Sequence, residues 1–132
     1  MNGDDPLLNI LEDLLKLDDI YACMIARRNM VSVIPDTSLF NPKIMEVWDI
    51  VSLAMKNVFA VIEEYASVGL DVMEFRLKNY SVLFFVIPDT DNALVAIIPS
   101  LANKGLIEVE MENARREIVE ILNKNEEELV QA

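Results

Sequence analysis

The spacing of apolar and polar positions changes several times along the chain, and each change marks an element. Leu7, Leu8, Leu11, Leu14 and Leu15 recur at helical spacing near the start. Asp5 is placed to cap this run and Pro6 suits its first turn, so a helix begins there and ends at Asp18-Asp19. A mostly apolar stretch, Tyr21–Arg27, is followed closely by the valine-rich Met30–Ile34. The short link Arg28-Asn29 predicts a tight hairpin, with Asn29 able to take a positive φ. Pro35-Asp36-Thr37 closes the second strand.

The middle of the chain predicts one dominant helix. Asn41 caps it, Pro42 opens it, and Phe40 and Met45 stand at the two positions of a hydrophobic staple. Ile44, Val47, Trp48, Val51, Met55, Val58, Ile62 and Tyr65 form its main stripe, and Gly69 is a natural stop. Such a helix would run about 40 Å, longer than the ~30 Å breadth of a small domain. It also carries a second apolar set: Ile50, Leu53, Ala54, Ala60 and Val61. A helix apolar on two sides needs cover on two sides, and in so small a domain the second cover is another chain.

Three more strands follow. Asp71–Lys78 alternates, with Met73, Phe75 and Leu77 on one face and Glu74 and Arg76 on the other. Tyr80–Ile87 and Ala93–Ile98 are continuously apolar, as central strands covered on both faces are. Lys78-Asn79 and Pro88–Asn92 read as hairpin turns. A last helix starts near Gly105 and runs to about Lys124 on a stripe of Ile107, Met111, Ala114, Ile118 and Ile121. The order α-ββ-α-βββ-α with hairpin links predicts an α+β class built on an antiparallel sheet. Residues 1–124 make a single domain and 125–132 an acidic C-terminal tail. Val33–Thr37 and Val86–Thr90 share the sequence Val-Ile-Pro-Asp-Thr. Turn chemistry explains the echo, because Pro and Asp are what turns demand.

Composition narrows what this fold can do. Hydrophobic residues are 53% of the 132, yet the net charge is −12. Twenty-three acidic side chains against 11 basic ones, with no basic cluster, argue against nucleic acid and against an anionic membrane surface. No apolar run approaches the ~20 residues of a membrane span, Asp4 and Asp5 stand where a signal peptide would be positive, and the expected location is cytoplasmic. There is no histidine, which removes the commonest general base, the Ser-His-Asp triad and Cys/His zinc sites. Three glycines, Gly3, Gly69 and Gly105, cannot compose either glycine-rich nucleotide loop. Asp18-Asp19, Asp36, Asp89 and Asp91 sit at element ends, where carboxylates cap and turn. Cys23, the only cysteine, lies in an apolar strand and reads as a core thiol. The reading is therefore not an enzyme, with no catalytic, cofactor or metal residues. Arg115 and Arg116 fit a solvated helix face with Glu112. Arg27 and Arg28 at a hairpin tip are candidate partner contacts. Trp48 and Tyr65 are aromatic candidates for an interface anchor, with ordinary core packing as the alternative.

Two patches carry a resemblance that covers roughly Leu7 to Leu122. Leu11-Glu12-Asp13-Leu14-Leu15 followed by Asp18-Asp19-Ile20-Tyr21-Ala22 is similar to the helix, acidic link and first strand that open the roadblock/dynein light-chain-7 family. Asn103-Lys104-Gly105-Leu106-Ile107 resembles that family's Asn-x-Gly-Leu signal before its third helix. Many members carry Asp-Arg-x-Gly at the first hairpin, where this chain has Arg27-Arg28-Asn29-Met30 and no glycine.

The resemblance implies a roadblock/profilin-like fold, with a five-stranded antiparallel sheet sandwiched by helices, and dimerisation through the third strand with the two middle helices packed together. It fits the apolar excess of the middle helix. The expected homodimer interface is Met73, Phe75 and Leu77 with Ile50, Leu53, Ala54 and Val61 of the helix. The family's members regulate or scaffold Ras-like small GTPases or act as adaptors in motor and signalling assemblies. Some accelerate hydrolysis by reordering the GTPase's own residues, which requires no arginine finger. The expected function is a homodimeric module that binds and regulates or scaffolds a Ras-like small GTPase. A GTPase-independent adaptor is the alternative, and a small-molecule sensor a third.

Overall fold

The computed structural model describes residues 5–28 and 30–131, with Met30 and residues 126–131 described by backbone alone. The helices are α1 (Pro6–Leu14), α2 (Trp48–Tyr65) and α3 (Lys104–Gln131). The strands are β1 (Ala22–Arg27), β2 (Met30–Val33), β3 (Val72–Arg76), β4 (Tyr80–Val86) and β5 (Ala93–Pro99). The strands form one antiparallel sheet in the order β2-β1-β5-β4-β3, so β2 and β3 are its two edges. The α+β class and five-stranded sheet expected from the pattern are what the chain adopts.

The alternation of each strand sorts the core into two layers. Ala22, Met24, Val82, Phe84, Val95 and Ile97 point to α2, which covers that face together with Phe40 and Ile44 of the segment before it. Cys23, Ile25, Leu83, Phe85, Leu94 and Ile98 point the other way, under α1 and α3. This is why β4 and β5 carry no polar alternation: both their faces are roofed. Phe59 of α2 meets Phe84 edge-to-face, with centroids 5.7 Å apart, and pins the helix to β4.

The middle helix differs from expectation at its start. Pro42–Glu46 is a tight 3₁₀ segment capped by Asn41, whose side chain accepts from the Lys43 N–H. Val47 then breaks the run at φ −113°, ψ 5°, and α2 proper begins at Trp48. Its 18 residues make about 27 Å, so the helix does not overhang the domain. A 3₁₀ entry is a common way for a helix to tighten its first turn. It swings Met45 out to solvent while Phe40 stays buried, so the expected staple does not form. Tyr65, placed by spacing in the main stripe, is exposed, whereas Phe59 is buried in it.

The far end of α2 stops as read. Gly69 takes φ 93°, its N–H donates to Ala66 O, and the Leu70 N–H reaches back to Tyr65 O. This paired closure is a Schellman motif, and it needs a left-handed residue. At the first hairpin, the expected role of Asn29 lies outside the described residues. The pairing of β1 with β2 slips between Ile25 and Ala26. The helix α3 starts one residue before Gly105 and continues to Gln131, so the backbone read as an acidic tail is helical there.

Arg115 is the largest correction. Read as part of a solvated face, it is 6% exposed. Its guanidinium pairs with Asp71 at 2.7 Å and with Glu112, and donates to the carbonyls of Asp71 and Val86 at 3.1 Å each. It also lies over the Phe85 ring, 5.1 Å from the centroid. One side chain thus ties α3 to the start of β3 and the end of β4. Arg116 is exposed, as read.

Candidate functional site

One helix over a five-stranded face leaves a groove on each side of that helix. The first lies between α2 and β3. Ile50, Leu53, Ala54, Asn57, Val58, Val61, Met73 and Phe75 line about 390 Å³. Helical spacing places Ile50, Leu53, Ala54, Asn57 and Val61 on one flank of α2. Strand alternation presents Met73 and Phe75 from β3 to the same space. Leu53 is 65% exposed and Ile50 56%, large apolar side chains left facing water. Six of the seven residues expected to form an interface therefore line one groove. The seventh, Leu77, packs on the same face without lining it. Asn57, a polar residue in the middle of the flank, was not anticipated.

The opposite face of β3 carries Glu74 and Arg76 beside an exposed Val72. Glu74 accepts from Lys104 of α3 at 2.6 Å and from Arg76 at 2.9 Å. Lys104 chiefly, with help from Arg76 and Ser81, holds the Glu74 carboxyl below the usual glutamate range.

The second groove lies between α2 and the β1–β2 hairpin and is smaller, about 160 Å³. Arg27, Val31, Trp48, Ser52, Met55, Lys56 and Phe59 line it. Trp48 and Arg27, 21 positions apart in sequence, meet here. Lys56 joins them and forms no ion pair among the described residues. Arg28, the third candidate contact, pairs instead with Glu63 of α2 at 3.0 Å.

The groups considered for chemistry occupy structural positions. The Cys23 Sγ donates to Leu11 O at 3.3 Å, and burial pushes its thiol up to about 12. Asp36 accepts from the Ser38 N–H in a turn, which lowers its carboxyl pKa. Asp89 holds φ 63° in the β4–β5 link. The two copies of Val-Ile-Pro-Asp-Thr therefore build different turns. Among the described residues, no group of three His, Cys, Asp or Glu side chains stands where it could hold a metal ion, and no helix is long and apolar enough to cross a membrane.

No family model and no curated protein matches the sequence. Among solved structures, Myxococcus xanthus MglB superposes with a TM-score of 0.66 at 15% identity, covering 89% of this chain and 95% of that one. The gliding protein mglB from Thermus thermophilus gives a TM-score of 0.66 at 15% identity, covering 90% of each chain. At this identity the likeness is one of fold, and the fold is the roadblock type.

Proposed function

We propose that this chain is a non-catalytic homodimeric module that binds a Ras-like small GTPase and regulates or scaffolds it. The observation that carries the reading is the apolar groove between α2 and an open edge strand. It offers exposed Leu53, Ile50 and Val61 beside half-buried Met73 and Phe75. An unpaired edge flanked by apolar surface is an association hazard unless it is covered. A second copy covers it by joining β3 to β3 and laying the two α2 helices together.

The GTPase reading draws on the fold shared with the two MglB proteins and on the sequence patches that resemble the roadblock family. The chain has no nucleotide loop of its own, so its action on a GTPase is through surface contact. The β2-side groove is the proposed contact: Trp48 supplies an aromatic wall and Arg27 and Lys56 supply positive charge, with Arg28 nearby on the hairpin. Outside that groove the chain is strongly acidic, so a partner segment carrying both an apolar side chain and a carboxylate fits it best.

The test is a pull-down with the purified chain from its source cells, run with GDP and with a non-hydrolysable GTP analogue. The recovered GTPase is then assayed for hydrolysis with and without the chain. Recovery of a small GTPase in one nucleotide state is the expected result. A raised hydrolysis rate makes the chain a regulator, and binding without a rate change makes it a scaffold. Recovery of other proteins regardless of nucleotide favours the GTPase-independent adaptor.

A further inference from the structure

The backbone of β3 specifies how a second copy can pair with it. The Leu77 N–H donates to Tyr80 O at 2.7 Å and the Val86 N–H donates to Asp71 O at 2.9 Å. In the β3–β4 register these are residues 77 and 71 exchanging with their partners, so 73 and 75 also turn their backbone groups toward β4. Val72, Glu74 and Arg76 consequently turn theirs to the open edge. Those three are the residues that can hydrogen-bond to an added strand.

A symmetric antiparallel pair has one residue that faces itself across the two-fold axis. Both copies must keep α2 on the same side of the joined sheet, so residues facing each other share a face. Centring the axis on Glu74 sets its carboxylate opposite its own copy. Centring it on Arg76 sets two guanidinium groups opposite each other. Like charges directly opposite destabilise a strand pair, whereas opposite charges stabilise it. Centring the axis on Met73 puts Arg76 opposite Leu70, beyond the strand.

With the axis on Phe75, Glu74 of each copy faces Arg76 of the other, in the positions that share backbone hydrogen bonds. On the α2 side, Phe75 faces Phe75 and Met73 faces Leu77, all apolar. The Glu74-centred pairing would add one rung to the ladder but would place the two carboxylates together. In the single chain Arg76 pairs with Glu74 of its own strand at 2.9 Å, but its side chain is 70% exposed and Lys104 also holds that carboxylate, so Arg76 can exchange this partner for the second copy's Glu74.

Resting on the reading of β3 as the homodimer edge, we infer that the two copies pair antiparallel about Phe75, with reciprocal Glu74–Arg76 ion pairs selecting that register. The chemistry of recognition is self-complementary: one acid and one base, two residues apart, on the face of an edge strand away from α2. It makes Glu74 and Arg76 specificity determinants of self-association.

The test is disulfide trapping in the full chain, using single variants Glu74→Cys, Phe75→Cys and Arg76→Cys under a mild oxidant. Native Cys23 is buried and does not compete. Phe75→Cys should form a covalent dimer by itself, because a self-facing pair brings its Cα atoms within disulfide range. Glu74→Cys and Arg76→Cys should each stay unlinked alone and link when mixed. In parallel, Arg76→Glu should weaken dimerisation by about tenfold and the double variant Glu74→Arg/Arg76→Glu should restore it. Linking of Glu74→Cys or Arg76→Cys alone, with a dimeric wild-type chain, overturns the register and leaves the homodimer standing. A monomeric wild-type chain removes the homodimer reading itself.

Discussion

The two grooves beside α2 share a helix and differ in almost everything else. The β3-side groove is wide and apolar and opens onto an edge strand with unsatisfied backbone. The β2-side groove is less than half its volume, has a tryptophan in its wall, and carries two cations. An apolar surface with an open ladder is suited to a permanent partner of the same kind. A small cleft of mixed character is suited to a reversible one. The comparison teaches that one helix can serve assembly on one flank and recognition on the other, because Ile50, Leu53, Ala54 and Val61 of its second apolar set lie on the β3 side.

The sharpest way to break this division is a charge in the wide groove. Leu53→Glu should weaken self-association by more than about a hundredfold, since the dimer would bury unpaired carboxylates, and sedimentation equilibrium would measure it. Its counterpart on the other flank, Lys56→Glu, should leave the dimer intact and weaken partner binding by about tenfold, read by titration calorimetry with the recovered partner. If Lys56→Glu dissociates the dimer, the division of labour fails.

Arg115 sharpens the comparison from behind. It fastens the start of β3 to β4 and α3. Arg115→Ala would leave the Asp71 and Val86 carbonyls without that donor and lose the packing on Phe85. The expected cost is about 2–3 kcal/mol by urea denaturation, with hydrogen exchange in β3 speeding up more than in β1. Gly69→Ala tests the link between α2 and β3. Nothing lies within 4 Å of the added Cβ, so its cost of about 1 kcal/mol comes from the left-handed φ of 93° alone.

The smallest effect is electrostatic. Glu74 has a depressed pKa in the folded chain, so its stabilisation is present above the ordinary glutamate range and fades as pH falls through the lowered value. Partial exposure limits it to under about 1 kcal/mol. Lys104→Met should flatten the acid limb of the stability–pH curve.

Much of the fold was legible because its signals are local. Gly69 ends a helix in the only conformation that suits it, and the alternation of Met73 to Leu77 marks a half-covered edge. The wide groove was legible too, because a helix apolar at Ile50, Leu53 and Val61 beyond its core stripe has surplus surface. What escaped depends on pairs distant in sequence. Arg115 looked satisfied by Glu112 three residues away, and its burial follows from Asp71, 44 residues away. The meeting of Arg27, Trp48 and Lys56 required the hairpin and the helix to be set side by side. The break at Val47 has no marker in the residue types around it, since Ile44, Trp48 and Val51 keep helical spacing across it.

The claim that the β3-side groove is a self-interface is met most directly by sedimentation equilibrium of the wild-type chain at micromolar concentration. The account predicts a species of twice the 15.0 kDa chain mass. A single species at 15.0 kDa would contradict it and return the groove to the search for another occupant.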